Sequence, residues 1–301
     1  MNKAAILDLD GLAARMLRDY DRHTPGTPFA DGLRLSIDEA YRLQSCVARR
    51  RRARGERVAG YKIGCVAPVN QARHGLSHPV WGRLWSSEQH GSGTTLPQGD
   101  FANVAVEAEL GVTLGRDLGR DVRGLTEVVA AVAQVVVVVE LHNLVLRGGD
   151  PTGPELIANN AIHAGVVRSP AVVPPPAGTV VDLALEFDGA SVDAWSNRRW
   201  PDDVLSALPW LARELARHGH RLEAGQLVLV GAWGPPRPLR RPGPAGGSRS
   251  LAGWDDAHRT PNRTGGSSGT VGATSARQRV TARSETLGLA EVTLTAPAKL
   301  A

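Results

Sequence analysis

Two glutamates separated by one residue lie in a segment that has the alternation of a β-strand. The segment VAVEAEL, residues 104–110, contains Glu107 and Glu109. Because successive strand side chains point to opposite faces, the two carboxylates share one face and the apolar side chains line the other. Two carboxylates on one face repel each other unless a cation neutralises them, and oxygen ligands suit Mg²⁺ or Mn²⁺. A solvated strand face is the alternative interpretation of this pair.

A third carboxylate, Glu140, ends a run of five valines at 135–139. A carboxylate at the end of a fully apolar strand costs free energy if it is buried without a partner. Functional sites also gather at the ends of buried strands. The alternative is a strand end that turns into water. With the first pair, Glu140 completes a predicted set of three ligands for one divalent metal ion, namely Glu107, Glu109 and Glu140.

A lysine and a histidine are the candidates that could act beside this metal ion. Lys62 lies in the short segment GYKIG, residues 60–64, whose glycines permit a close approach of the backbone. Near a metal ion such a lysine can have a lowered pKa and move protons, so Lys62 is the predicted catalytic residue. The alternative is a surface lysine whose stem lies along apolar side chains. His142 follows Glu140 by two residues and therefore shares its strand face, although a single histidine is often structural.

Composition and missing motifs exclude several other functions. The 301 residues are 42% hydrophobic, which is enough to bury a large core. The net charge of +5 could indicate nucleic acid, but the arginines at 49–52 end a predicted helix, where cations complement the helix dipole and face solvent. Aromatic residues are only 4% of the chain, so stacking surfaces are scarce, and no nucleic-acid partner is expected. No HExxH, GxSxG or P-loop motif occurs.

The chain is expected to be a cytoplasmic protein without a membrane anchor. Its longest apolar run, residues 128–141, contains Gln134 and is too short to span a bilayer. The N-terminal segment has acidic residues inside its apolar stretch and lacks the core of a signal peptide. Two cysteines, Cys46 and Cys65, cannot form a disulfide framework, and no CxxC pair is present.

The elements that must position these residues predict an α+β fold with mixed strands closed by long-range pairing. Ser36 and Glu39 form a capping box at the start of one helix. Residues 65–100 are predicted to be a loop. Helices are predicted at 3–20, 37–54, 125–134, 153–160 and 201–217. Strands are predicted at 57–64, 103–114, 135–141, 161–167, 180–187, 191–195, 226–232 and 287–294.

The character of the chain changes after residue 233. Between 234 and 250, fifteen of seventeen residues are Gly, Pro, Arg or Ser. Such a composition cannot bury enough apolar surface to offset the entropy of ordering. The predicted division is a catalytic domain at 1–233 with a helical part at about 1–55, a disordered segment at 234–283, and a final strand and tail at 284–301. An insertion and a frameshifted gene end both explain the middle segment.

Taken in chain order, these segments resemble the 2-keto-4-pentenoate hydratase and 4-oxalocrotonate decarboxylase group of the fumarylacetoacetate hydrolase superfamily. The resemblance covers about residues 5–233. It is carried by the capped helix from Ser36 to Gln44, GYKIG at 60–64, HPVWGRL at 78–84, VEAE at 106–109 with Glu140, IANN at 157–160, LPWLA at 208–212, and Leu222 with Ala224-Gly225.

The resemblance implies a mixed β-sheet or barrel-like core with flanking helices, and a Mg²⁺ or Mn²⁺ ion. It implies a small 2-oxo acid or 2-hydroxydienoate substrate from the catabolism of aromatic compounds. The three glutamates would hold the ion, Lys62 would move the proton between enol and ketone, and Gly64, His142 and Asn159 would contact the substrate. A homo-oligomer is also expected, and a pathway enzyme is considered as a further partner.

The sequence is compatible with several reactions. Hydration of the 2-keto-4-pentenoate type is the leading prediction. Decarboxylation of the 4-oxalocrotonate type, hydrolysis of a carbon–carbon bond in an acylpyruvate, and a non-catalytic binding role are the alternatives. The chain reads LHNL at 141–144 where the group has an acidic and arginine-bearing segment, and Asn159 stands where it has an aspartate. These departures make His142, Asn143 and His163 candidates for an altered substrate pocket.

Overall fold

Thirteen strands, seven α-helices and three short 3-10 helices build the part of the chain that the computed structural model describes, residues 7–119, 121–144, 151–239 and 277–296. The helices are α1 Leu9–Asp21, α2 Thr27–Ala30, α3 Ile37–Ala53, α4 Pro68–Arg73, α5 Leu125–Val129, α6 Gly153–Ala158 and α7 Leu208–Arg217. The strands are β1 Val58–Gly64, β2 Val80–Trp85, β3 Gln89–Gly91, β4 Thr94–Pro97, β5 Val104–Leu114, β6 Val132–Asn143, β7 His163–Arg168, β8 Val180–Phe187, β9 Ala190–Arg199, β10 Leu227–Leu229, β11 Arg237–Pro238, β12 Arg277–Ser284 and β13 Gly288–Thr295.

The strands form two mixed sheets. The larger sheet has the order β2-β1-β10-β5-β6-β7-β3, with β11 paired to β5, and the smaller sheet has the order β4-β13-β12-β8-β9. Most pairs are antiparallel, but β1 with β10, β3 with β7, and β4 with β13 are parallel. The predicted α+β fold with a mixed, barrel-like sheet and flanking helices is confirmed.

The larger sheet curls, so its two faces differ. One face packs into the main hydrophobic core, which includes Val106 and Leu110 of β5 and Val137 and Val139 of β6. The other, inner face encloses a separate small apolar cluster, in which Leu84 of β2 lies with residues of the strands β6, β7 and β10. The members of this inner cluster are Leu84, Val136, Val138, Val166, Leu227 and Leu229. Because side chains alternate along each strand, every second side chain points to this inner face, and Glu107, Glu109 and Glu140 are among them.

Helices α1 and α3 lie outside the curled sheet. The side chain of Ser36 accepts a hydrogen bond from the backbone N–H of Glu39, and the carboxylate of Glu39 accepts one from the backbone of Ser36, so the predicted capping box is present. The expectation that the arginines at 49–52 face solvent is wrong for Arg51, which is only 6% exposed. Its guanidinium stacks on the ring of Trp85 and pairs with buried carboxylates, so it is part of the packing between α3 and the sheet.

Several predicted boundaries are wrong. Residues 65–100 are not one loop, because they contain α4 and the strands β2, β3 and β4. Helix α7 begins at Leu208 rather than at Pro201, and residues 201–207 form turns. The predicted disordered segment is wrong at its two described ends, where β11 and β12 form; residues 240–276 lie outside the described residues.

The strand predicted at 287–294 is confirmed as β13, which pairs with β4 and β12 in the smaller sheet. The division into three segments, at 233 and at 283, stays a prediction. Within the described ranges, no helix is both long enough and apolar enough to cross a membrane.

Candidate active site

Glu107 and Glu140 face each other across two neighbouring strands. They are direct partners in the antiparallel pair of β5 and β6, and Glu109 lies opposite Val138 in the same ladder. Because side chains alternate along each strand, all three carboxylates point to the inner face of the curled sheet. Glu109 and Glu140 have no exposed surface, and Glu107 is partly exposed. The predicted shared face of Glu107 and Glu109 therefore lies inside the protein and not in solvent.

Lys62 reaches the same place from a different part of the sheet. It lies on β1 opposite Leu229 of β10, and β10 pairs in turn with β5. Its Nζ atom is 2.8 Å from Glu140 Oε1 and 3.4 Å from the carbonyl oxygen of Ala161. The side chain is buried, so Lys62 is not the surface lysine of the alternative interpretation.

The Ala161 carbonyl belongs to a strained turn. Asn160, Ala161 and Ile162 have φ values of 57°, 51° and 57°, which is the left-handed region that residues with a Cβ atom rarely adopt. A β-branched residue such as Ile162 is least favourable there. Such strain is kept only where surrounding contacts hold the backbone in place. In this chain the side chain of Asn160 accepts a hydrogen bond from the backbone N–H of Arg83 at 2.7 Å and donates one to its carbonyl at 2.8 Å.

Two histidines contact the carboxylates. His142 Nε2 is 2.9 Å from Glu107 Oε2 and 3.6 Å from Glu140 Oε2. His163 Nδ1 is 2.7 Å from Glu140 Oε1. The ladder between β6 and β7 is irregular at this point, because Leu141 pairs with Gly165 while His142 pairs with His163. Such bulges re-aim side chains and are common beside active sites.

Charge and burial shift the pKa values of these groups in different directions. Burial opposes the positive charge of Lys62, but the carboxylates around it outweigh burial and raise its pKa. Burial alone would raise the pKa of Glu140, but the Lys62 ammonium and the two adjacent histidines hold it below its ordinary value. The sequence predicts a lowered pKa at Lys62. The protein groups alone raise it, because the negative charges of Glu140, Glu107 and Glu109 favour the ammonium.

Glu109 behaves in the opposite way. Burial and the adjacent charge of Glu140 raise the pKa of Glu109 well above its ordinary value. Its Oε1 atom accepts a hydrogen bond from the backbone N–H of Gly231, while Oε2 is buried and has no hydrogen-bond partner in the described part of the chain. The neutral acid is therefore favoured at Glu109 when only protein groups surround it.

The donor atoms fit a divalent cation. Single oxygen or nitrogen atoms of Glu107, Glu140 and His142 all lie within 4.8 Å of one another, which makes these residues a possible metal-binding group. Glu140 Oε2 and Glu109 Oε2 are buried atoms without a hydrogen-bond partner in the described residues, and a cation would satisfy both. The geometry thus brings His142 into the group, whereas Glu109 lies beside it with one oxygen already used.

The predicted substrate contacts Gly64 and Asn159 have other neighbours in the structure. Gly64 ends β1 opposite Val80, and a Cβ atom there would be 3.2 Å from that valine's Cγ2. Asn159 follows α6 and donates its side-chain N–H to the carbonyl of Glu155 at 2.9 Å. In the described residues, neither one hydrogen-bonds to the three glutamates. Asn159 lines a pocket that His163 also lines. The role of Gly64 and Asn159 in substrate binding stays a prediction.

Glu88 was not found from the sequence. It accepts a hydrogen bond from the hydroxyl of Tyr20 at 2.7 Å, pairs with Arg51 at 2.5 Å, and has its Oε2 atom 3.8 Å from His163 Nε2. The carboxylate therefore connects the outer helices to the back of the histidine that holds Glu140. No local signal marks Glu88, because it is a single acid in a polar stretch and its partners come from distant helices.

The comparison with known proteins identifies the family. Over 204 residues the chain is 33% identical to the 2-keto-4-pentenoate hydratase of Paraburkholderia xenovorans (strain LB400), in an alignment that covers 67% of this chain and 76% of that protein. The chain belongs to the 2-keto-4-pentenoate hydratase family. Its hydratase-family sequence is also 30% identical over 198 residues to a 4-oxalocrotonate decarboxylase from a Pseudomonas species, covering 66% of this chain and 77% of that one.

The hydratase-family fold has a solved counterpart. The 4-oxalocrotonate decarboxylase from Pseudomonas putida G7, complexed with magnesium and adipate, matches 95% of this chain and 97% of its own with a TM-score of 0.74. The sequence identity is 18%, so this likeness concerns the fold. A comparison with models of known protein families gives no match. The resemblance inferred from the order of the motifs is confirmed.

Proposed function

We propose that this chain is a divalent-metal-dependent lyase that hydrates a 2-hydroxydienoate of the 2-keto-4-pentenoate type. The observation that carries the proposal is the group of Lys62, Glu107, Glu109 and Glu140 on the inner face of one curled sheet, in a chain that belongs to the hydratase family. Mg²⁺ or Mn²⁺ is the proposed ion, and a magnesium complex is known for the matching decarboxylase fold.

The three glutamates, with His142 beside them, would hold the ion. When bound there, a divalent cation supplies Lewis-acid stabilisation of negative charge at the 2-oxo oxygen of the substrate. The buried carboxylate oxygens of Glu109 and Glu140 that lack a partner in the described part of the chain provide free electron pairs for it. Glu109 must lose its proton to act as a ligand, because its environment favours the neutral acid.

Lys62 holds a proton at the centre of the group. Its Nζ atom is an ammonium at neutral pH, since the carboxylates raise its pKa, and it is fixed between Glu140 Oε1 and the Ala161 carbonyl. Lys62 would donate this proton to a carbon of the dienol and recover one from the 2-hydroxyl group, which leaves a ketone. One water molecule then adds across the remaining double bond. The neighbouring turn at 160–162 keeps the Nζ atom in position.

Decarboxylation is the second candidate. When CO₂ departs from a 2-oxo-3-enedioate, whose distal carboxylate is attached to the saturated carbon next to the double bond, the electrons left behind would spread through that double bond into the same electron sink at the 2-oxo group. The 30% identity with a 4-oxalocrotonate decarboxylase supports this second reaction. Hydration remains the leading proposal, because the hydratase of Paraburkholderia xenovorans is the more similar of the two relatives described above.

One experiment separates these reactions. The purified full-length chain, with Mg²⁺ or Mn²⁺, would be given 2-hydroxypenta-2,4-dienoate and 2-oxohex-3-enedioate in parallel. We expect loss of the dienol absorbance with the first substrate and no CO₂ from the second. Release of CO₂ from the second substrate would show that the chain is a decarboxylase and would contradict the proposed hydration. A third sample would contain an acylpyruvate, and its cleavage into two acids would indicate hydrolysis instead.

The metal assignment needs its own control. Glu107→Ala removes a carboxylate that is partly exposed, and we expect it to abolish turnover and to weaken metal binding. Undiminished turnover in this variant would refute the metal site. Absence of both turnover and bound metal in the unaltered chain would favour a non-catalytic binding role. A cytoplasmic location and a homo-oligomer, with a pathway enzyme as a further partner, also stay predictions.

A further inference from the structure

We propose that His142 is a direct ligand of the metal ion, so that the ion is held by a mixed set of carboxylate oxygens and one imidazole nitrogen. This inference rests on the proposed metal-dependent function and goes beyond the three carboxylates that the resemblance implies. It is carried by the position of His142 Nε2 between Glu107 and Glu140.

The distances suit a shared ion. Neighbouring ligand atoms of an octahedral ion lie about 3.0 Å apart when each is about 2.1 Å from the metal, and opposite ligand atoms lie about 4.2 Å apart. His142 Nε2 is 2.9 Å from Glu107 Oε2 and 3.6 Å from Glu140 Oε2. One ligand atom from each of Glu107, Glu140 and His142 lies within 4.8 Å of the other two, so one ion can reach all three residues after small side-chain movements.

His142 and Glu109 differ in which of their possible metal-binding atoms already have other hydrogen-bond partners. Glu109 uses Oε1 to accept the hydrogen bond from Gly231, which leaves one oxygen for a metal ion. His142 is 1% exposed, and its nearest polar partners in the described residues are the two carboxylates themselves. The imidazole is therefore held against the ligand oxygens without another acceptor that would draw Nε2 away.

The backbone supports this direction of the side chain. His142 follows Glu140 by two residues on β6 and so shares its face. The bulge between Leu141 and His142 shifts the ladder with β7 and lets the imidazole turn toward Glu107 on the opposite neighbour, β5. His163, across the bulge, contacts Glu140 through Nδ1 and lies behind that carboxylate, where a histidine can orient a ligand.

The choice of metal follows from the donor set. An imidazole nitrogen is a softer donor than a carboxylate oxygen, and Mg²⁺ prefers oxygen, while later divalent ions such as Co²⁺ bind nitrogen well. The mixed set should therefore increase the preference for Co²⁺ over Mg²⁺. Replacing His142 by glutamine supplies an amide oxygen of similar reach, and we expect the ratio of Co²⁺ to Mg²⁺ affinity to fall by about tenfold or more.

The deciding measurement is electron spin-echo envelope modulation of Mn²⁺ bound to the full-length chain. We expect modulation from a directly coordinated nitrogen, which changes character when the histidines are labelled with ¹⁵N. It should be lost in His142→Gln and retained in the matched variant His163→Gln, both at saturating Mn²⁺. Calorimetric titrations with Co²⁺ and Mg²⁺ give the affinity ratio for the same proteins.

The outcomes separate this inference from the function on which it rests. Mn²⁺ that binds without nitrogen coupling, or coupling that persists in His142→Gln, overturns the assignment of His142 and leaves the carboxylate site standing. Loss of the coupling in His163→Gln alone also overturns it. If the unaltered chain binds no divalent ion, the metal-dependent function fails, and the ligand role of His142 fails with it.

Discussion

Lys62 Nζ and Glu140 Oε1 form an ion pair at 2.8 Å in which the two side chains are 4% and 0% exposed. The lysine thus supplies positive charge at the place where a divalent cation would bind. Among the groups around Glu140, the Lys62 ammonium contributes most to lowering the pKa of that carboxylate. A bound cation would take over part of this neutralisation.

Lys62→Met should therefore destabilise the metal-free protein most. Removing one partner of a buried ion pair costs about 3–5 kcal/mol, because the other charge is left uncompensated. We expect this loss in urea unfolding with a chelator and a clearly smaller loss with saturating Mn²⁺. Arg217→Met is the control, because its pair with Glu214 involves a side chain that is 76% exposed and should contribute about 0–1 kcal/mol. Equal destabilisation by Lys62→Met in both conditions would contradict this account.

Glutamine should affect stability to very different extents at Glu109 and at Glu140. Burial and Glu140 raise the pKa of Glu109, so the neutral acid is favoured and an amide of the same shape replaces it closely. Glu109→Gln should change the free energy of unfolding by less than about 1 kcal/mol in chelator at pH 7. Glu140→Gln removes the carboxylate that pairs directly with the buried Lys62 ammonium and should cost about 3–5 kcal/mol.

Metal titration completes the same comparison. Both variants should bind Mn²⁺ more weakly, because each loses a carboxylate oxygen that has no partner in the described residues. A large loss of stability in Glu109→Gln would show that this side chain is ionised in the metal-free protein. Unchanged Mn²⁺ affinity in Glu109→Gln would remove Glu109 from the predicted ligand set.

The shared face of Glu107 and Glu109 could be predicted from the sequence, because strand alternation is a local property. The position of Glu140 directly opposite Glu107 could not, since it depends on the register between strands that are separated by a long connection. Lys62 joins the site only through β10, which lies far along the chain. The order of the family motifs along the chain indicated that Lys62 and the three glutamates belong to one site. The pattern of apolar residues did not indicate it.

Strand β2 shows why residues 65–100 were predicted to be a loop. All six of its residues are buried, including Arg83, so its sequence VWGRLW lacks the alternation of a half-exposed strand. The guanidinium of Arg83 is bound by Gln44 of α3 and by His220, and it stacks on Trp81. Such tertiary partners decide the burial of a charged residue, and a local pattern does not reveal them.

Gly82 of β2 should not tolerate a side chain. A Cβ atom there would be 2.6 Å from the carbonyl oxygen of Asn160, which begins the strained turn that holds Ala161 against Lys62. Gly82→Ala should reduce the free energy of unfolding by about 1–3 kcal/mol, because the backbone must shift. Gly91→Ala is the matched control in β3, since nothing lies within 4 Å of its added Cβ atom. Urea unfolding of both variants provides the test, and similar losses would contradict the proposed crowding.

His220 should make the stability of the protein fall in acid. Burial, with the charges of Arg83, Arg52 and His218, lowers its pKa to about 4 in the folded chain, compared with about 6.5 in an unfolded chain. As the pH falls from about 6.5 to about 4, the unfolded state takes up a proton that the folded state refuses, so the free energy of unfolding decreases. Below about pH 4 both states are protonated and this loss is complete.

His220→Gln should remove this part of the acid sensitivity. The glutamine can still accept the hydrogen bond from Arg83, whose guanidinium is 2.8 Å from His220 Nε2, but it cannot take up a proton in this range. Urea unfolding of both proteins at several pH values between 7 and 4 would show their stabilities converging, or the variant becoming the more stable, as the pH falls. Parallel profiles over that range would mean that His220 is protonated equally in the folded and unfolded chains, and that the positive charge around Arg83 is neutralised by another group.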